Sequence, residues 1–441
     1  MDERIYGLLG RKLGHSWSVP IHAALGNGAY RLLELEPDGL APFLHRKDIG
    51  GLNVTIPYKR DVMPLCDEID PAAEAIGSVN TIVRCADGKL VGYNTDIDGF
   101  LYMARRAGIS LSGKKVVILG SGGASLTAQT AARQGGAAEV VVVSRFGPDN
   151  YDNLSRHADA EILVNATPVG MYPGNGQSPV DLSVFPVCQG VLDVIYNPRR
   201  TALLLQAEAR SIPCSDGLPM LVAQAVAAEE RFFNRSIPAG ENERILVQLR
   251  REMTNLILIG MPGSGKTTVG ELLSQRLQKQ LVDIDALIAA REGMTVTEIF
   301  ESQGEGYFRS MEAGMAQALS LREDLIVACG GGLPLQEGPM AALKQSGWVI
   351  YLDRDAGEIF DGEDLSDRPL AQNGREAFVA LAGERRPVYE KWADATIHDF
   401  TSPISTAARV TPARSSLWVS RPTMRATACW ACSRVPSRSA R

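Results

Sequence analysis

The chain is poor in cysteine and aromatic residues, and no stretch reaches the ~18 apolar residues that a membrane span needs. Its seven cysteines (Cys66, Cys85, Cys188, Cys214, Cys329, Cys429 and Cys432) are odd in number and far apart. That argues against a disulfide framework and fits a reducing compartment. The opening MDERIYGLLG lacks a basic segment followed by an apolar run, so no secretory signal is read there and a cytoplasmic protein is expected. The 45 Lys and Arg fall short of the 51 Asp and Glu, and a net charge of −6 provides no basic field for nucleic acid or an anionic membrane. With 43 Gly and 24 Pro at no fixed period, collagen-like and low-complexity chains are excluded too. What remains is ordinary globular usage, 45% apolar and 22% charged, over 441 residues. At roughly 100–200 residues per domain, that suggests two to four domains.

Two glycine-rich loops divide the chain. Lys114–Ser125 (KKVVILGSGGAS) and Asn255–Thr268 (NLILIGMPGSGKTT) each follow an apolar run that reads as a buried strand, and each opens a helical pattern. After the first loop, strands are expected at Glu139–Val143, Glu161–Val164 and Gly190–Val194, with helices at Ala124–Gln134 and Thr201–Arg210. This alternation predicts a doubly wound parallel sheet. Before it lies a separate α/β stretch with its own strand, GLNVTIP. A long helical pattern, Leu218–Phe233, is expected to return and pack on that N-terminal lobe. Ser236–Met253 reads as a polar lead-in to the second loop, and the βα pattern then resumes to about residue 410.

The second loop is a full GxxxxGK[ST], in which backbone amides can turn onto phosphates. Lys266 reaches the β/γ oxygens and the Thr267 hydroxyl suits Mg²⁺. Next, Leu281-Val-Asp283-Ile-Asp285 reads as a short strand with two carboxylates on one face, one for Mg²⁺ and one for a substrate hydroxyl. Gly304-Glu-Gly-Tyr-Phe-Arg309-Ser-Met-Glu312, Gly330-Gly-Gly332, Asp367-Arg368-Pro369-Leu370 and Arg385-Arg-Pro-Val-Tyr389 follow. This ordered set resembles shikimate kinase over about residues 254–410. The resemblance implies that Asp285, Arg309, Gly331, Gly332 and Arg385 hold shikimate. Arg368 would act from a lid, and Gly263, Ser264, Gly265, Lys266, Thr267 and Thr268 would hold ATP, with Thr267 and Asp283 on Mg²⁺. Guanidinium forks suit the carboxylate of such a substrate. Arg386 reads instead as a surface ion pair.

In the first loop, Gly120-Ser-Gly122-Gly123-Ala124 alone is a weak signal. More telling is the end of the next strand, where an acid would take a ribose 2′-hydroxyl and an arginine a 2′-phosphate. Here Ser144-Arg145 follows Val143, Glu139 lies at the opposite strand end, and NADP is favoured. The lobe in front supplies His15-Ser16-Trp-Ser18, Asn53-Val-Thr55-Ile-Pro-Tyr-Lys59, Gly77-Ser-Val-Asn80-Thr81 and Asn94-Thr-Asp96. Asn165-Ala-Thr167, Asp193-Val-Ile-Tyr196-Asn-Pro198 and Gly217-Leu-Pro-Met220-Leu-Val-Ala-Gln224 come later. Nearly all of residues 1–250 resembles shikimate dehydrogenase. The resemblance implies a substrate site of Ser16, Ser18, Thr55, Lys59, Asn80, Asp96, Tyr196 and Gln224. It places the cofactor on Gly120, Gly122, Gly123, Ala124, Ser144, Arg145 and Gly217. Ketone reduction needs a proton donor beside the carbonyl oxygen, and Lys59 with Asp96 is an adjustable acid–base pair. His15 is assigned a structural role, and His22, His45, His157 and His398 show no partner pattern. Ser144-Arg145-Phe146 departs from the family's common Asn-Arg-Thr and loses a hydroxyl suited to the 2′-phosphate.

The expected architecture is α/β throughout. An N-terminal substrate lobe (1–100 with 217–250) joins a Rossmann-type NADP domain (101–216), a P-loop kinase domain (251–410) and a tail (411–441). The expected function is NADPH-dependent reduction of 3-dehydroshikimate to shikimate, then ATP- and Mg²⁺-dependent phosphorylation to shikimate 3-phosphate. Small molecules are the expected partners, with no nucleic acid or membrane, and a homodimer is left open. The alternatives are an NAD-dependent quinate/shikimate dehydrogenase and a catalytically silent sensor or repressor on the same folds. Arg145 and the attached kinase argue against the first; retention of Lys59, Asp96, Lys266 and Asp285 argues against the second.

The end of the chain departs from the kinase pattern. Pro403–Val410 begins like the family's last helix, but Pro412 breaks it, and residues 411–441 hold six Arg and no Lys, Asp or Glu. Cys429-Trp-Ala-Cys432 has no second pair. Disorder is expected there, from a genuine tail or a shifted reading frame, with a kinase half left the less stable domain. Limited proteolysis should remove residues 412–441 first with dehydrogenase activity retained; resistance of that segment would show it to be part of the fold.

Overall fold

A computed structural model describes residues 4–14, 16–363, 373–398, 402–408 and 410. The expectations for His15, Arg368 and the segment 411–441 lie outside the described residues. Three sheets follow one another along the chain. The first, ordered β2-β1-β3-β5-β6-β4, is built from β1 (Ile5–Gly10), β2 (Tyr30–Glu34), β3 (Ile49–Val54), β4 (Glu68–Ile69), β5 (Thr81–Arg84) and β6 (Leu90–Tyr93). It is mixed, with β5 antiparallel to both β3 and β6. The second, ordered β11-β10-β9-β7-β8, comprises β7 (Lys115–Leu119), β8 (Glu139–Val143), β9 (Ile162–Asn165), β10 (Gly190–Asp193) and β11 (Cys214–Ser215). The third, ordered β13-β14-β12-β15-β16, comprises β12 (Asn255–Ile259), β13 (Gln280–Asp283), β14 (Leu325–Ala328), β15 (Gly347–Leu352) and β16 (Ala395–Ile397). All pairings in the second and third sheets are parallel. Their central strands are apolar on both faces, as burial beneath two helical layers demands.

The helix Leu218–Phe233 packs on the helix Asp96–Arg106 and on β3 and β5, returning to the first lobe as expected. The lead-in to the second loop is not a loose polar segment. Residues Gly240–Met253 form a helix whose Ile245, Leu246, Leu249 and Met253 are buried against Ile21, Leu218 and Val222. Its many Glu and Arg residues hide this stripe from a composition-based reading. Only Thr254 separates this helix from β12, so no flexible linker joins the two halves. At the other end, residues 403–408 are helical, and Ala407 and Val410 enter the apolar cluster of Leu256, Leu258 and Ile350. Among the described residues no helix is long and apolar enough to cross a membrane.

A polar contact clamps the N-terminal half to the C-terminal one. Arg200, in the turn after β10, lies 2.9 Å through Nη1 and 2.9 Å through Nη2 from the two carboxylate oxygens of Asp394. Both side chains are buried, and Arg200 also donates to Glu208. Asp394 accepts from the Val349 amide at 2.9 Å and lies 3.3 Å from Lys344 Nζ. Burial opposes its charge, but Arg200 and Lys344 more than offset that and hold its carboxyl below the usual range. The guanidinium carbons of Arg199 and Arg200 lie 4.2 and 5.1 Å from the Trp348 ring centroid. The Arg200 amide donates to the Gln345 carbonyl at 3.1 Å, and Gly176 N–H to its side chain at 3.0 Å. Asp394→Ala would leave Arg200 with Glu208 alone and should destabilise the chain by about 3 kcal/mol. Chemical denaturation measures this, and a loss below about 1 kcal/mol would mean the pair is dispensable.

Candidate active sites

In the first lobe, β1 and β3 end at a common edge, where Thr55 N–H donates to the Leu9 carbonyl at 2.9 Å. Thr81 pairs with both Asn53 and Tyr93, so the antiparallel strands bring Asn80 and Asn94 to that edge too. There Lys59 Nζ donates to Asp96 Oδ2 at 2.6 Å, with both side chains partly exposed. Asp96 opens the helix Asp96–Arg106, where the helix dipole favours a carboxylate, and its amide donates to Asn94 Oδ1 at 3.1 Å. The preceding Thr95 is held by Asn80, which accepts from its amide at 2.7 Å and donates to its hydroxyl at 3.1 Å. Ser18 N–H donates to Ser16 Oγ at 3.2 Å. Gln224 lies beside Gly99 of the helix that Asp96 opens. Tyr196 and Trp17 pack on the apolar cluster of Leu218 and Val222. Among the described residues no hydrogen bond joins Ser16, Ser18, Tyr196 or Gln224 to the Lys59–Asp96 pair.

Beside this lobe, β7 runs into Gly120 at φ +103°, where a Cβ would sit 3.0 Å from the Ala166 carbonyl oxygen. Gly122 cannot cap the helix Gly123–Gln134, so the first-turn amides, with Ala124 among them, are open to an anion. β8 ends on Val143; Ser144 and the exposed Arg145 follow with no acid, while Glu139 pairs with Lys115 at the far edge. Asp193, buried at the end of β10, accepts from the Thr201 hydroxyl at 2.7 Å, the Asn165 amide at 3.1 Å and Ile195 N–H at 3.0 Å. Burial pushes its carboxyl up to about 6. It braces the turn that carries Tyr196, and Gly217 N–H donates to Ile195 of that turn at 2.9 Å. The loop, open helix end and arginine fit a phosphorylated dinucleotide.

In the third sheet, the loop after β12 ends on Gly263 and Gly265, with Ser264 buried, and opens the helix Lys266–Leu277. Lys266 Nζ donates to the carbonyls of Gly260 at 3.1 Å and Met261 at 2.8 Å. Thr267 Oγ1 donates to Asp283 Oδ2 at 2.6 Å, and Thr268 is exposed beside it. Two hard oxygen donors thus lie side by side at the loop, which fits Mg²⁺. Asp283 and Asp285 do not share a strand face. The Asp283 side chain accepts from Ala286 N–H at 3.1 Å and caps the helix Ile284–Glu292, which puts Asp285 in that helix's first turn. A capping carboxylate ended the strand two residues before the alternation would have carried it.

Asp285 nevertheless reaches the glycine turn. Its Oδ1 and Glu312 Oε1 flank Gly330 so closely that a Cβ there would lie 2.5 and 2.4 Å from them. Gly332 leaves the same kind of room for the Arg309 guanidinium. Arg309 donates to Glu312 and to Glu305, and Arg385 Nη1 donates to the Gly331 carbonyl at 3.2 Å. Arg385 Nε is buried with no hydrogen-bond partner. Arg386 pairs with Asp353 and Glu390 on the surface. Two groups were absent from the expected set. Tyr389 OH donates to the Gly331 carbonyl at 2.6 Å, and Glu312 is wholly buried at the centre of the cluster. Their i, i+3 and i, i+4 spacings from Arg309 and Arg385 were visible in the sequence and put each on its arginine's face. Three histidines also have partners that spacing did not reveal: His22 with Glu229, His157 with Asp149 and His398 with Asp353.

Comparison with known proteins places each half of the chain in a family. The family model "Shikimate dehydrogenase substrate binding domain" matches residues 8–82, and "Shikimate kinase" matches residues 262–412. A shikimate dehydrogenase (NADP(+)) from Clostridium perfringens is 36% identical over 268 residues, 98% of that protein and 56% of this chain. A chorismate mutase/shikimate 5-dehydrogenase fusion protein from Clostridium acetobutylicum superposes with a TM-score of 0.54 at 37% identity, covering 97% of that chain and 56% of this one. Shikimate dehydrogenase 1 from Peptoclostridium difficile does so at 0.50 and 36%, covering 98% of that chain and 56% of this one.

Burial pushes the Glu312 carboxyl up to about 7; Arg309 pulls it down, and the Asp285 charge adds to the rise. A carboxyl raised on folding contributes stability that is complete below its unfolded range, near pH 4.5, and is lost as pH rises through 7. The C-terminal half should therefore lose on the order of 1–3 kcal/mol between pH 5 and 8, and Glu312→Gln should flatten that slope. Denaturation across this range reads both; an unchanged slope in the variant assigns the pH dependence elsewhere.

Proposed function

The chain belongs to the shikimate dehydrogenase family and carries a shikimate kinase domain behind it; from that premise we propose that it catalyses two consecutive steps on one metabolite. The first half reduces 3-dehydroshikimate to shikimate, and the second phosphorylates that shikimate. What carries the reading is that the product of the first half is the substrate of the second, with both acid–base and phosphate-binding residues retained. We assign residues 1–100 with 217–250 to the substrate lobe, 101–216 to NADP and 251–410 to the kinase, in a cytoplasmic protein.

In the first reaction the reduced dinucleotide supplies a hydride to the ketone carbon. Lys59 places its ammonium at the ketone oxygen and donates the proton; Asp96, 2.6 Å away, holds that ammonium charged and aimed. Ser16, Ser18, Thr55, Asn80, Tyr196 and Gln224 orient the hydroxyls and carboxylate of the substrate. Arg145 meets the 2′-phosphate, which favours NADP over NAD. In the second reaction Arg309 and Arg385 fork the substrate carboxylate and Asp285 accepts the proton of the attacking hydroxyl. Lys266 would bind the phosphate oxygens of ATP, and Thr267 and Asp283 would hold Mg²⁺, which neutralises the charge on those phosphates. By the same resemblance, Arg368 is assigned to the transferring phosphoryl group.

A coupled assay with dehydroshikimate, NADPH and ATP, following NADPH loss and ADP gain separately, tests the whole reading. Lys59→Ala should lower reductase turnover by ~10²–10⁴ with kinase turnover on added shikimate unchanged. Near-normal reduction with intact NADPH binding would reduce the pair to an ordinary ion pair, and absence of ADP formation on shikimate would refute the second half.

A further inference from the structure

Phe146 is the most exposed large apolar side chain among the described residues, at 96%. It stands on the turn that leaves β8, one residue past Arg145, and this turn is braced. Ser144 N–H donates to the Asp149 carbonyl at 3.1 Å, and the Asp149 carboxylate lies 2.8 Å from His157 Nε2. Asn150 N–H donates to Asn153 Oδ1 at 2.9 Å, and the Asn153 side-chain amide donates to the Pro148 carbonyl at 2.9 Å. The Arg145 guanidinium carbon lies 5.7 Å from the Phe146 ring centroid, so charge and ring occupy one tip. That tip adjoins the glycine loop, because Gly120 N–H donates to the Val143 carbonyl at 2.8 Å.

A lone exposed aromatic needs no explanation by itself; its address supplies one. In a doubly wound sheet the residues after the second strand flank the adenosine end of the dinucleotide. An arginine there can take the 2′-phosphate, but a phenyl ring has no group to offer a phosphate. It does offer a flat face, and every nucleobase has a face to match. Resting on the assignment of this site to a dinucleotide, we propose that Phe146 is the adenine platform of the site. Stacking on the base is indifferent to the 2′-phosphate, so Phe146 sets affinity for NADP⁺ and NAD⁺ alike. Arg145 alone carries the choice between them.

Calorimetric titration of the full chain with NADP⁺, NAD⁺ and nicotinamide mononucleotide separates these roles without recourse to turnover. Phe146→Ala should weaken NADP⁺ and NAD⁺ by the same factor, roughly 5- to 100-fold, and leave the adenine-free mononucleotide unchanged. Phe146→Trp should keep the parent affinities. Because the side chain is exposed, neither change should disturb folding, and circular dichroism checks this. Parent-like binding of both dinucleotides by Phe146→Ala overturns the proposal, as does a loss confined to NADP⁺, which would place the ring at the phosphate. A parent chain that binds neither dinucleotide overturns the underlying assignment, and the proposal with it.

Discussion

Parallel strands have to be joined by crossovers and covered on both faces, and this constraint decides where chemistry can sit in the second and third sheets. Two of their interior strands, Val116–Leu119 and Leu256–Ile259, are buried and wholly apolar. A polar side chain inside such a layer needs a hydrogen-bond partner for each buried polar atom. The functional side chains are displaced to the carboxyl ends, where the chain turns and backbone amides are left over. Gly120, Ser144, Asn165 and Asp193 all lie there in the second sheet, as do Gly260, Asp283 and Gly330 in the third. The two glycine loops are thus one solution used twice: an apolar strand, a glycine turn and an open helix end.

The same economy of buried polar atoms governs the junction. Arg200 could not be buried against the C-terminal half without a counter-charge, and Asp394 meets it with two oxygens. Each belongs to a segment next to a candidate site. Arg200 lies four residues past Tyr196, and Asp394 follows the helix Arg375–Trp392, which carries Arg385 and Tyr389. A rigid junction of this kind makes each half part of the scaffold of the other's site, which a flexible tether would not do.

How much of this was legible depended on whether the governing interaction was local. Strand–glycine–helix runs are local, so both loops were placed to within a residue, and Gly123–Gln134 and Ala202–Ala209 fell where periodicity put them. Asp285 lies in a helix and not on a strand, because the Asp283 side chain caps a helix where alternation alone would continue the strand. The helix Gly240–Met253 was missed because its apolar stripe is outnumbered by Glu and Arg. Arg200–Asp394 and His22–Glu229 bridge 194 and 207 residues, and no spacing rule reaches so far. Glu312 is the instructive case: the motif displayed it, yet only burial against Arg309 and Asp285 shows it to be central.

His22 and Glu229 explain why the first lobe can hold Lys59 and Asp96 so closely. His22 Nδ1 lies 2.5 Å from Glu229 Oε1, which also accepts from Asn27 at 2.8 Å, and the imidazole stacks on Tyr30 with centroids 3.7 Å apart. Tyr30 OH donates to Asn53 Oδ1 at 2.8 Å, Asn53 to the Thr81 hydroxyl at 3.2 Å, and that hydroxyl to Asn80 Oδ1 at 3.0 Å. Asn80 in turn holds Thr95, the neighbour of Asp96. Burial drives His22 toward its neutral form and Glu229 opposes that, so the network trades desolvation against a single strong contact. His22 Nε2 and Glu229 Oε2 are buried without a hydrogen-bond partner, a cost that the linked contacts above them offset. Asp96 therefore has supports for its position other than the Lys59 ammonium. It is fixed from beneath by a polar floor, through its amide to Asn94 and through Thr95 to Asn80.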